Sequence, residues 1–320
     1  MDFLNVLFPV SGVYTNVLIP PLVAMVISFF TSMGGVSGAF LLLPFQISVL
    51  NYTAPSVSGT NHIFNIVAIP SGVYRYIKEG RMAWPLTWVI IIGTMPGVFL
   101  GYYFRVYYLP DPKTFKIFVG LVLLYIGIRL LMDVLGITKQ PEGMKALEKK
   151  FKERSEEIKR ERQAQMAAGI PPDAVIKTIE ISPKKVVYEF WGERFSFNIM
   201  SVSIVTFIVG IIGGAYGIGG GSIIVPFLVS FCRLPVYTIA GAALMGTFIT
   251  SVAGGVFFTF APPVGGVSAM PDWPLGILFG IGGLCGMYLG ARAQKFVPQR
   301  YIKAMLTVII LALAVKYVFL

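Results

Sequence analysis

Between Phe197 and Cys232 the chain carries no charged residue, and inside that stretch stands GGAYGIGGGSIIVPF, residues 213–227, six of them glycine. About 20 apolar residues in a helix, at 1.5 Å each, cross the roughly 30 Å hydrocarbon core of a bilayer. Comparable apolar runs recur near 17–33, 39–50, 55–77, 84–104 and 114–135, then near 199–216, 221–232, 236–261, 273–291 and 301–320. In lipid every backbone N–H and C=O must find a partner inside the protein, which leaves helices as the spanning element here. The expected fold class is an all-α polytopic membrane protein, multi-pass in the cell (inner) membrane, with the lipid bilayer as its solvent. Glycine is a poor helix residue that usually marks a turn. The cluster therefore raises the question of why helices should break inside oil.

Composition narrows the classes of function. Hydrophobic residues make up 56% of the chain and charged residues 13%, against about 25% charged in soluble domains. The net charge of +11 does not point to nucleic acid, because residues 138–198 hold 13 basic and 10 acidic residues and the remaining +8 lies beside apolar segments. That is the distribution of the positive-inside rule. Two cysteines, Cys232 and Cys285, and the lone His62 make neither a disulfide framework nor a metal set, so no metal and no cofactor is expected. The apolar segments hold no nucleophile–base arrangement and no carboxylate pair, which argues against an enzyme. The opening MDFLNVLFPVSGVYTN lacks a basic region and a small-residue cleavage site and reads as part of the mature chain.

The ten segments form two sets of five. An offset of 182 places Gly35 on Gly217, Gly38 on Gly220, Pro44 on Pro226, Phe45 on Phe227 and Gly59 on Gly241. An offset of 189 places Trp84-Pro85-Leu86 on Trp273-Pro274-Leu275, and Gly93, Gly97 and Gly101 on Gly282, Gly286 and Gly290. An offset of 187 places Lys113, Lys116 and Arg129 on Arg300, Lys303 and Lys316. The organisation read from this is a first transmembrane repeat over 1–137, an insert over 138–197 and a second repeat over 198–320. An odd number of segments per copy predicts opposite orientations in the membrane, an arrangement that marks secondary transporters. The side that carries Arg75, Lys78, Arg81, Arg233, Arg292, Lys295, Arg300 and Lys303 outweighs the side with Arg105, Lys113, Lys116 and Lys316. The first side and the insert are therefore expected in the cytoplasm, with both termini outside.

Within the insert, EGMKALEKKFKERSEEIKRERQAQMAAG has mixed charge and i,i+4 acid–base pairs, the pattern of an exposed helix. AVIKTIEIS, KKVVYEF and ERFSFN alternate apolar and polar residues and read as a β-hairpin or three short strands. Such a piece is either a linker between repeats or a docking module for a cytosolic partner.

Segments 39–50 and 221–232 are too short to span comfortably, whether they cross or turn back. Each follows a glycine cluster, Gly34–Gly38 (GGVSG) or Gly217–Gly221 (GIGGG), with Ser37 and Ser222 placed as N-caps. The N-terminus of a helix offers free N–H groups and partial positive charge. Two such ends meeting near the midplane would form an anion site without a buried arginine. The expected substrate contacts are Gly34, Gly35, Ser37, Gly38, Gly217, Gly219, Gly220, Gly221 and Ser222. Asn61 and Asn65, one turn apart in GTNHIFN, and Thr247, with Thr250, on the matching second-repeat helix, complete the set, unless these side chains only bond between helices. His62 is a candidate proton relay, or a structural histidine. Glycines at four-residue spacing (Gly93, Gly97, Gly101 and Gly282, Gly286, Gly290) read as helix packing.

These clusters, GGVSGAFLLLPF and GIGGGSIIVPF, with GTN at 59–61 and the five-plus-five repeat, resemble the sulfite exporter TauE/SafE family over about 17–135 and 199–320. The resemblance implies export of sulfite or a small organosulfonate, with a small anion as partner. Departures from the family pattern are the length of the insert and Ser37 where the second cluster has Gly219. Three functions fit these residues: a secondary transporter, with His62 offering proton coupling, a small-anion channel of the same architecture, or an uptake carrier for another oxyanion such as thiosulfate or sulfate. A sensor with the insert as output is disfavoured, because nothing in the insert resembles a catalytic module. Oligomeric state is open.

Overall fold

The computed structural model describes residues 4–137, 174–230, 232–263, 266–297 and 299–319, with scattered helical positions between 142 and 153. Among them are ten long helices in the expected order. The first five are α1 (Ile19–Met33), α2 (Ala39–Ser48), α3 (Ser56–Lys78), α4 (Trp84–Tyr108) and α5 (Pro112–Val134). The second five are α6 (Ile199–Tyr216), α7 (Gly221–Ser230), α8 (Val236–Phe260), α9 (Trp273–Ala293) and α10 (Gln299–Phe319).

Their starts follow local chemistry. Trp84-Pro85 and Trp273-Pro274 open α4 and α9 with proline in the first turn, where its missing N–H costs nothing. Asp111, Asn198 and Asp272 accept from the N–H groups of Thr114, Ser201 and Leu275 at 2.8, 3.0 and 3.2 Å, satisfying first-turn donors of α5, α6 and α9. Among the described residues α4, α5, α6, α8 and α9 are long and apolar enough to cross a membrane. Helix α3 has the length without the apolarity. Its first three turns carry Ser56, Ser58, Thr60, Asn61, His62 and Asn65, all buried by the protein itself.

The two sets of five interlock by exchanging partners. Helix α4 packs on α6 and α9 on α1; α3 packs on α9 and α4 on α8; α3 packs on α8 and α5 on α10. The glycines at four-residue spacing make these approaches close. A Cβ on Gly97 or Gly101 would run into the carbonyl of Phe207 or Ile211, and one on Gly93 into the Thr206 side chain, 3.2 Å from the Ser203 carbonyl. A Cβ on Gly282, Gly286 or Gly290 would run into that of Pro21, Met25 or Phe29. The two triplets correspond residue by residue under the sequence offsets of 189 and 182. Small residues let helix backbones touch where the hydrophobic effect offers no attraction between helices.

Two β elements accompany the helices. Residues 5–16, for which the sequence reading named no secondary structure, form an antiparallel hairpin, β1 (Asn5–Phe8) and β2 (Val13–Asn16), turned at Gly12 with φ +70°. Before α6, a three-stranded antiparallel sheet runs β3 (Ile176–Ile181), β4 (Lys185–Phe190), β5 (Glu193–Asn198) in that order, one strand more than a hairpin. Trp191 and Gly192, at φ +51° and +77°, close its second turn, as a two-residue hairpin loop requires. The inward face of the sheet (Val186, Tyr188, Phe190, Phe195, Phe197) is buried in the same core as the helices. The Ile176 N–H donates to the Gly80 carbonyl at 2.9 Å, and the Tyr188 and Thr238 hydroxyls lie 2.8 Å apart. Burial pushes the Tyr188 phenol above its usual range, so it stays protonated at this contact. The sheet is thus held to the α3–α4 turn and to the first turn of α8. Helical residues at the start of the insert join it, Lys150 Nζ reaching the Trp191 carbonyl at 2.9 Å and Glu193 at 2.8 Å. The remainder of the expected insert helix lies outside the described residues.

Candidate functional site

Each glycine cluster first ends one helix and then starts the next. Helix α6 ends at Gly217, whose φ of +83° is left-handed, with Gly217 and Ile218 N–H both bonded to the Gly213 carbonyl. Helix α1 ends on Gly34, whose N–H meets Thr31 at 2.9 Å, and Gly35 takes φ +72°. Left-handed backbone is cheap only for glycine. Gly219 also has φ +64°, whereas Ser37 at the equivalent position has no positive φ. The two turns differ in backbone shape at that point, which accounts for serine in one and glycine in the other.

The turns seat on the starts of α3 and α8. A Cβ on Gly35 would lie 2.5 Å from the Ala240 Cα, and one on Gly217 would press into Ser58. Gly38 is closed in by Ser28 and Phe64, Gly220 by Thr94, and Gly219 by Thr247 and Ser251. Tyr216, beside Gly217, donates its hydroxyl to the Phe40 carbonyl at 3.1 Å. Pro44 lies four residues on in α2 and has no N–H to offer that carbonyl, so the second turn supplies the missing donor to the first.

The two turns converge on a short polar chain. The Ser37 hydroxyl donates to Asn65 Oδ1, and Asn65 Nδ2 donates to Ser251 Oγ at 3.1 Å. Ser251, on α8, stands against Gly219. Asn65 of α3 therefore joins the first glycine turn to the helix that packs on the second. All of these side chains are buried. One turn away on the same helix, Asn61 is fully buried and neither of its amide atoms has a partner among the described residues. Both ring nitrogens of His62 are likewise buried and without a partner among those residues. Its ring packs on Phe258 at 5.2 Å, over the space left by Gly254, so it does not join the Ser37–Asn65–Ser251 chain.

Other expected contacts are placed differently. The first-turn amides of α2 are not free: Ala39 donates to Ser37 Oγ at 3.2 Å, Phe40 to the Ser37 carbonyl at 3.2 Å and Leu41 to the Gly38 carbonyl at 3.1 Å. A tight start with i→i+3 bonds consumes them, and Ser37 caps from one position before Gly38, the residue that precedes α2. Helix α7 begins at Gly221, so Ser222 sits inside its first turn; the side chains there lie outside the described part. Thr247 and Thr250 bond their own helix at the carbonyls of Ala243 and Gly246, at 2.9 and 2.7 Å.

Ser251, Ser58 and Thr94 are neighbours of the site that sequence reasoning missed. Ser251 carried a signal, since it follows Thr247 by one helical turn, and Asn65 maps onto Thr247 under the 182 offset. A buried arginine does exist. Arg105, in the last turn of α4, gives its guanidinium to the carbonyls of Leu109 and Thr53 and lies over the Phe115 ring at 3.7 Å. It ties the end of α4 to the α2–α3 turn.

A sequence profile described as sulfite exporter TauE/SafE matches residues 21–317. The chain is also similar to the probable membrane transporter protein YunE of Bacillus subtilis (strain 168), with 21% identity over 299 residues, covering 90% of this chain and 92% of that protein. No solved structure matches it.

Proposed function

The chain belongs to the sulfite exporter TauE/SafE family, a family of membrane transporters, and from that premise we propose that it is a secondary exporter of a small sulfur-containing anion such as sulfite or an organosulfonate. The anion is held near the bilayer midplane between the two glycine turns. Its contacts are the amide N–H groups of Asn61 and Asn65 and the hydroxyl of Ser251, beside Ser37 and in the field of the positive ends of α2 and α7. The observation that carries this reading is Asn61, a buried amide with nothing bonded to it, one turn from the residue that links both turns. Leaving such a group unbonded costs about 1–3 kcal/mol, and an oxyanion that accepts its N–H groups relieves that cost.

The reading takes residues 1–137 and 198–320 as repeats inserted in opposite senses, with 138–197 on the cytoplasmic side. Three observations support it: the exchange of partners between the sets, the residue-by-residue match of their glycine contacts, and the seating of the sheet on the α3–α4 turn and the start of α8. Two repeats related in this way can rock about a fixed central site.

Flux in proteoliposomes, measured with a panel of anions under imposed pH and voltage gradients, tests the function. Saturable, gradient-coupled sulfite flux is expected; passive, unsaturable conductance would make the protein a channel. Ser37→Asp should abolish flux through like-charge repulsion in a poorly solvated site, while Ser37→Ala keeps part of it. A folded Ser37→Asp protein with wild-type flux places the site elsewhere.

A further inference from the structure

Away from the polar chain, a groove of about 490 Å³ opens between α4, the first residue of α6 and the inner edge of the sheet. Trp84, Trp88, Ile181, Val186 and Ile199 line it, and its walls are almost wholly apolar. Below it, Trp88 and Ile92 continue as an exposed stripe along α4, a helix long and apolar enough to span. The groove thus runs from the lipid-facing side of a span up beneath a water-facing sheet, with two tryptophans at the junction, where such side chains favour the headgroup level.

At the upper rim lies the β3–β4 turn. Lys184 and Lys185 are exposed there, and among the described residues neither is in an ion pair. The backbone fixes Lys184 beside the lining, its carbonyl accepting from the Ile199 N–H at 3.0 Å, whereas Lys185, the residue before Val186 in β4, alternates to the opposite face of the sheet. The nearest acid on β3, Glu180, pairs opposite Val187 and so points to the face away from Ile181 and Val186.

We propose that this groove binds one anionic phospholipid, an acyl chain lying along Trp88, Trp84 and Ile181 and the phosphate headgroup meeting Lys184. Apolar continuity with the α4 stripe selects a lipid chain over a soluble ligand, and the unpaired Lys184 at the rim selects an anionic headgroup over a zwitterionic one. A lipid seated there touches α4, α6 and the sheet together, so membrane composition would bear on how the insert is held. This stands apart from the transported anion and does not depend on that assignment.

The groove contains two of the four tryptophans, so quenching by brominated lipid reads its occupancy. In a Trp191→Phe/Trp273→Phe background reconstituted in vesicles, brominated phosphatidylglycerol should quench at several-fold lower mole fraction than brominated phosphatidylcholine. Lys184→Gln should bring the two curves together without changing the phosphatidylcholine curve, while Lys185→Gln, on the other face, should leave both unchanged. Equal quenching by both lipids in the parent protein, a preference that survives Lys184→Gln, or relief of the preference by millimolar inorganic phosphate would each overturn the proposal.

Discussion

At the scale of single residues, the weight of the candidate site falls on side chains more than on bare helix ends. The first-turn amides of α2 are spent on Ser37 and Gly38, while Asn61 has both amide atoms unspent. A residue kept for structure should be missed by the fold when removed; a residue kept for a ligand should not. Asn61→Leu removes an unsatisfied buried amide with little change of volume, so thermal stability is expected to hold or rise. Sulfite affinity should fall several-fold, about 1 kcal/mol for each lost hydrogen bond. A thermal melt and anion binding on the same preparation decide this, and a destabilised variant with unchanged affinity would count against it. Among the described residues no protein group bonds the His62 ring, so a proton would reach it through the substrate or water. If it relays protons, His62→Gln abolishes the pH dependence of flux with folded yield intact. An unchanged profile makes it a packing residue against Phe258 and Gly254.

At the scale of elements, the same residue type does two jobs that sequence spacing separated correctly. Clustered glycines end helices in left-handed backbone, whereas glycines spaced by four let helices touch. Gly97→Ala would set a Cβ 2.5 Å from the Phe207 carbonyl and 2.7 Å from the Ile211 nitrogen, backbone atoms that cannot step aside. Overpacking of this kind costs about 1–3 kcal/mol, and Gly286→Ala on the opposite pair should cost a similar amount. Gly72→Ala in α3 meets only ordinary contacts, 3.5 Å at the nearest, and gains roughly the 1 kcal/mol helix preference of alanine. Melting curves should place the first two variants below wild type and the third at or above it; a harmless Gly97→Ala would refute tight α4–α6 contact. The short helices show the limit of local reading. Pro44 is visible in sequence, but Tyr216, whose hydroxyl takes up the Phe40 carbonyl that Pro44 leaves without an N–H, lies 176 residues from Phe40.

At the scale of the whole molecule, the two sets of five hold one another, with α1 and α6 each gripped by the fourth helix of the other set. Neither set would bury its glycine faces alone, which predicts cooperative loss of both together. The insert is seated on this body through Ile176–Gly80 and Tyr188–Thr238, so its side of the membrane is the side of those turns. The topology proposed from the charge bias takes this side as the cytoplasm. A cysteine at position 182, in the exposed β3–β4 turn and in a background lacking Cys232 and Cys285, should resist an impermeant maleimide in intact cells and label after permeabilisation. Ready labelling from outside inverts the topology.

The amino-acid sequence determined what depends on local composition and period. Apolar length specified membrane helices, Trp-Pro pairs and Asp or Asn caps specified their starts, and the paired glycine clusters pointed to the family. Alternation specified strands in the insert, and could have specified β1 and β2 around the Ser11-Gly12 turn. Tertiary structure alone decided which polar groups meet. Ser37, Asn65 and Ser251 come from a turn and two helices, with 186 residues between the last two, and no local pattern encodes such a meeting. It also decided that α2's amides are spent, that Arg105 is buried against backbone carbonyls, and that the sheet docks on the helices. Each depends on which surfaces become neighbours once the helices pack, because an unbonded polar group in a low-dielectric interior must find its partner in space, wherever along the chain that partner lies.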